Sequence, residues 1–96
     1  MDISVKWPKK SEDTASRIIE GEAVIVIPQK GLVRVLNEAG SRIWQLLDGG
    51  NTVEDIINII SSEFNVSREE AQKDTLDFIK ELIEKDMVVL NDGPTM

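Results

Sequence analysis

An α+β fold is predicted for this 96-residue chain: a three-stranded antiparallel β-meander followed by three α-helices. Three observations predict it. Short β-type runs separated by turn residues fill the chain up to Leu36. Three stretches with apolar residues at helical spacing follow, each preceded by a side chain able to cap it. A last β-type run, Met87-Val-Val-Leu90, closes the order. Helix, helix, longer helix and a strand able to pair backward is the order of a winged helix-turn-helix.

The elements follow in turn. Ile3, Val5 and Trp7 alternate as a short strand, Pro8 stops it, and Lys9 to Asp13 read as a charged, mobile link. Residues 1–13 are thus an N-terminal extension to a domain spanning 14–90, and 91–96 form a flexible tail. Arg17–Glu20 and Ala23–Ile27 flank a tight hairpin at Glu20-Gly21-Glu22. The unbroken apolar run 23–27 suggests a central strand covered on both faces. Pro28-Gln-Lys-Gly31 is a turn, and Leu32–Leu36 is the third strand.

Asn37 can cap a first helix over about 38–47, burying Ala39, Ile43, Leu46 and Leu47 with Trp44 at the edge of the stripe. Asp48-Gly-Gly-Asn51 ends it. Thr52 can cap a second helix over about 53–63, with Val53, Ile56, Ile57, Ile60 and Phe64 on one face. Ser67-Arg-Glu-Glu70 reads as a capping box opening the third helix. There, Ala71, Thr75, Phe78 and Leu82 form one apolar line, and Gln72, Leu76, Ile79 and Ile83 form a second beside it. Glu70, Asp74, Asp77, Glu81 and Glu84 occupy the far side. A stripe this wide can touch the core and something lying next to it.

Composition narrows the chemistry. The chain has no histidine and no cysteine, which removes the commonest general base, the commonest thiol nucleophile and most transition-metal sites. No serine, threonine or carboxylate spacing singles out a catalytic group, so a non-enzyme without cofactor or metal is expected. No apolar run is long enough to span a bilayer and no signal peptide is evident, which with the absent cysteine predicts a cytoplasmic protein. Residues 1–50 carry seven Lys/Arg and seven Asp/Glu; residues 51–96 carry four against eleven, the whole of the −7 net charge. An acidic helical half repels a phosphate backbone, so the winged-helix order does not imply a nucleic-acid reader.

Pro28-Gln-Lys-Gly31, Val35-Leu-Asn37, Ile43-Trp-Gln-Leu46, Asp48-Gly49, Thr52-Val53, Ile56, Phe64 and Asp74 through Leu82, taken as an ordered set over about residues 14–90, resemble the pyrroloquinoline quinone biosynthesis protein D (PqqD) family. The resemblance implies a peptide-recognition domain. Such a domain binds the leader of a ribosomally made precursor peptide and presents it to a modifying enzyme, often a radical S-adenosylmethionine protein. It further implies that the leader adds as a strand beside Leu32–Leu36 and lies against the third helix, about Ser67–Asp86.

The residues agree on independent grounds. A third strand with an open outer edge is a template for β-augmentation. The expected peptide-binding set is Lys30, Leu32, Val33, Arg34, Val35 and Leu36 from the strand side, with Gln72, Lys73, Leu76, Ile79, Lys80 and Ile83 from the helix. Lys30, Arg34, Lys73 and Lys80 would rim a groove suited to an acidic leader. Leu76, Ile79 and Ile83 are open to a plainer reading as core. The expected partners are a leader peptide and its modifying enzyme, with no nucleic acid or membrane, and the domain is a monomer or weak dimer. An alternative is a winged-helix module for self-association or other protein contacts.

Overall fold

The computed structural model describes residues 3–94. Its elements run β1 (Trp7–Lys10), β2 (Ala15–Ile19), β3 (Glu22–Ile27), β4 (Leu32–Val35), α1 (Glu38–Leu46), α2 (Val53–Glu63), α3 (Arg68–Glu84) and β5 (Val88–Asn91). The meander β2–β3–β4 is a three-stranded antiparallel sheet, and β1 pairs with β5 in a second, two-stranded one. The predicted α+β order holds.

Glu20 and Gly21 both take positive φ, 51° and 83°, and Ile19 faces Glu22 across them. Two left-handed residues between paired strands are the hairpin turn whose twist matches the strands. Gly21 adopts it freely; Glu20 does so against the preference of a residue with a Cβ. A short 3-10 turn, Pro28–Lys30, then leads through left-handed Gly31 into β4.

Caps set the helix starts. Asn37 Oδ1 accepts the Gly40 N–H at 2.8 Å. Thr52 and Asp55 form a full capping box, each side chain accepting the other's N–H. At α3 only half of the predicted box forms: Ser67 Oγ accepts the Glu70 N–H, but the Ser67 N–H makes no reciprocal bond to the Glu70 carboxylate.

The core lies between the sheet and the helices. Ala23, Ile25 and Ile27 of β3 face Ile43 and Trp44 of α1, Ile56, Ile57 and Ile60 of α2, and Ile79 and Leu82 of α3 in one buried cluster. Each fully buried aliphatic side chain contributes about 1.5–3 kcal/mol. Ser41 ties α1 to the sheet, accepting the Ala23 N–H at 2.7 Å and donating to the Leu36 carbonyl at 3.2 Å.

Several expectations are corrected. β3 is buried on one face only: Val24 and Val26 are half-buried on the other, because helices cover just one side of the sheet. Trp44 is inside the core rather than at its edge, and Ala39 is only half-buried. Pro8 does not stop a strand; it sits within β1, opposite Leu90. Its carbonyl accepts from Gly49 while Lys10 N–H donates to Leu47, so the missing proline N–H falls on the side away from β5. Lys9 and Lys10 are therefore ordered strand residues, and Ser11 N–H donates to the Met87 carbonyl. Of the expected tail, Asn91 ends β5 and Asp92 pairs with Lys6, while residues 95–96, like residues 1–2 of the expected extension, lie outside the described residues.

Candidate functional site

The edge of β4 is the starting point. In an antiparallel pair, successive residues alternate between turning their N–H and C=O toward the partner strand and away from it. Leu36 N–H donates to the Ala23 carbonyl, and Arg34 faces Ile25 two residues on. The intervening Val33 and Val35 therefore turn their main-chain groups outward, and no hydrogen bond joins these to another described residue. Side chains alternate likewise. Arg34 and Leu36 lie on the inner face with buried Ile25 and Ala23, and Val33 and Val35 on the outer face with Val26 and Val24.

Between this edge and α3 lies a cavity of about 450 Å³, lined by Arg34, Val35, Leu36, Asn37, Ala39, Gly40, Ile43, Asp74 and Phe78. Phe78 is half-buried and packs against the core from within the cleft. Gly40 keeps the first turn of α1 clear of it: a Cβ there would sit 3.7 Å from the Phe78 ring and 3.1 Å from Asn37 Oδ1.

One end of the cleft is latched. Arg34 donates to both carboxylate oxygens of Glu81, at 2.8 and 3.2 Å, with its guanidinium 5.5 Å from the Phe78 ring centroid. Lys85 also reaches Glu81, at 3.1 Å. The hydrogen bond from Arg34, then that from Lys85, holds the Glu81 carboxyl below its ordinary range. Lys30 donates to the Lys85 carbonyl at 3.0 Å and to Asp86 at 3.1 Å, tying the turn after β3 to the C-terminal end of α3. Asp74 stands at the cleft with no ion pair to another described residue.

The structure divides the predicted site. Leu32, Val33, Arg34, Val35 and Leu36 are brought together at the edge, with Lys30 beside them, although Leu36 is 4% exposed and belongs to the core. The α3 residues are not at the cleft. Ile79 is wholly buried, and Leu76 and Ile83 pack half-buried against the core. Gln72, Lys73, Leu76 and Lys80 line a separate concavity with Glu69 and Asp77. At about 100° per residue, Gln72, Leu76 and Ile83 lie roughly 120–160° around the helix from Phe78. The cleft is instead walled on the α3 side by Asp74 and Phe78, with Glu81 paired to Arg34 at its latched end. Phe78 was expected in the core line; its position next to three acids at helical spacing was the available signal. Nor is there a free basic rim: Lys30 and Arg34 are already paired, and Lys73 and Lys80 are elsewhere. Among the described residues no group of His, Cys, Asp or Glu could hold a metal ion.

A free sheet edge running beside one long helix, on a three-helix support whose third helix carries six acids against three bases, defines a binding domain of the winged-helix class whose third helix lacks the basic character of a nucleic-acid reader. The family is more specific. The profile of the coenzyme PQQ synthesis protein D (PqqD) family matches residues 22–88, and the chain belongs to that family. It is 35% identical over 65 residues to the PqqA binding protein of Gluconobacter oxydans (strain 621H), a match covering 68% of this chain and 66% of that protein's length. Among solved structures it resembles TbiB1 in complex with the TbiA(beta) leader peptide, with a TM-score of 0.77 and 35% identity over 83% of this chain and 93% of the other. It shares its fold with the PqqD truncation of Methylobacterium extorquens PqqCD, described as a stand-alone recognition element for ribosomally synthesised, post-translationally modified peptides. That match has a TM-score of 0.69 and 21% identity, covering 85% of this chain and 87% of that one.

Proposed function

We propose that this protein is a non-catalytic adaptor that captures the leader of a ribosomally made precursor peptide by strand addition to β4 and presents it to a separate modifying enzyme, such as a radical S-adenosylmethionine protein. One observation carries the reading: Val33 and Val35 present unpaired main-chain groups along the mouth of a cleft built against α3. Main-chain bonds supply affinity in such a complex, and side-chain pockets supply selectivity. The 35% identity to a chain solved with a leader peptide supports it. The absence of histidine and cysteine supports an adaptor over an enzyme. Ribosomal substrates imply a cytoplasmic site of action, and no helix among the described residues is long and apolar enough to cross a membrane.

The test is titration of the purified protein with synthetic tiles of short open reading frames beside its gene, followed by amide NMR. Binding with shifts at 32–36 and at Asp74, Phe78 and Glu81 is expected. A folded domain that binds no tile, or shifts confined to other surfaces, refutes the reading. Self-association is the second reading, favoured by the exposed β2 edge; a mass that rises with concentration in light scattering would support it.

A further inference from the structure

We propose that the added peptide is read on both faces of the sheet, and that Val33 and Val35 select apolar, β-branched residues at the peptide positions pointing away from the cleft. This rests on the strand-addition reading. Any strand added to β4 alternates its side chains between the two faces. Residues level with Arg34 and Leu36 enter the cleft. Residues level with Val33 and Val35 must lie over the outer face, beside those valines.

That outer face is prepared for an apolar neighbour. Val33 and Val35 are 68% and 59% exposed, and they sit directly across from half-buried Val26 and Val24. The solvent-facing side of an antiparallel sheet ordinarily carries polar residues. Here the two rows that reach β4 run Arg17–Val24–Val35 and Ala15–Val26–Val33, so the large apolar side chains adjoin the edge where the peptide adds. The cleft is also largely apolar, walled by Leu36, Ile43 and Phe78, with the Arg34–Glu81 pair at one end and Asp74 in its wall. Apolar selectivity is thus offered on both faces of the sheet. The same two residues carry the free main-chain groups and the exposed side chains, so an occupant of this patch that also adds to the edge is the peptide itself.

The test uses a displayed library of random decapeptides, selected on the wild-type protein and on the double variant Val33→Thr/Val35→Thr. Threonine keeps the shape and strand preference of valine and replaces a methyl by a hydroxyl. Wild-type selections are expected to enrich apolar residues in both alternating phases, and variant selections in one phase only. Synthetic wild-type binders should bind the variant about 3- to 10-fold more weakly, from two cross-strand pairs. Enrichment in a single phase on the wild type, or equal affinity for both proteins, overturns the two-faced reading while leaving strand addition standing. Recovery of no binder by the folded protein overturns strand addition and this inference together. A concentration-dependent mass lost in the variant, with peptide affinity unchanged, assigns the patch to a second copy and overturns the proposal.

Discussion

Replacing Val35 by proline isolates the main-chain edge from everything else in the site. The Val35 N–H points away from β3, so its loss leaves the β3–β4 ladder intact. Proline is tolerated on an edge strand in that orientation, and Arg34 before it is already extended. The side chain removed is 59% exposed, so little core packing is lost. The free domain should fold, with stability changed by no more than about 1 kcal/mol. The complex should suffer far more. One main-chain hydrogen bond contributes about 0.5–1.5 kcal/mol, and leaving its acceptor buried without a donor costs about 1–3 kcal/mol. A net loss of about 2–3 kcal/mol is a 30- to 150-fold weaker Kd. The assay is calorimetric titration with a leader tile that binds the wild type, beside a thermal melt. Val35→Thr, which keeps the N–H, is the control and should stay within about tenfold of the wild type. A folded Val35→Pro variant binding with unchanged affinity would refute main-chain recognition at β4.

Three further outcomes are expected. Thr75 is fully buried and its hydroxyl has no hydrogen-bond partner among the described residues, so Thr75→Val should be neutral or stabilising by up to about 1 kcal/mol in urea denaturation. Glu20 holds φ at 51°, so Glu20→Asn or Glu20→Gly should raise stability by about 1 kcal/mol, seen as a higher melting temperature. Glu81 has a folded pKa below its ordinary 4.5; its contribution is present above that value and lost as pH falls through the folded one. Urea midpoints should therefore fall less steeply in Glu81→Gln than in the wild type as pH drops below about 4.5, and identical slopes would exclude the Arg34–Glu81 pair as a contributor.

Periodicity and caps were sufficient to read most of the fold. Asn37, Thr52 and Ser67 each cap the predicted helix because capping is a contact within four residues, and local chemistry decides it. The β4 half of the site was legible for a related reason, since an edge strand is apparent once the meander order is known. Pairing of β1 with β5 joins residues 78 to 84 positions apart, and no local signal in Trp7-Pro-Lys-Lys10 announces it. The charged composition and the proline suggested a link, whereas the Leu47–Gly49 segment on one side and β5 on the other make it a strand.

The sequence by itself determined the order of elements, the acidic third helix, the absence of histidine and cysteine, and the family. These are properties of residue type and short-range spacing. Only the tertiary structure decided which side of α3 meets β4. Two apolar lines on a helix have the same periodicity whichever faces the sheet edge, and the choice depends on how the helix is rotated as it docks on α2 and β5. That rotation buries Ile79, turns Leu76, Gln72 and Lys73 away, and leaves Asp74 and Phe78 to wall the cleft with Glu81 at its latched end. It also joins Arg34 to Glu81 across 47 positions of chain, a pairing that follows from packing and not from sequence distance.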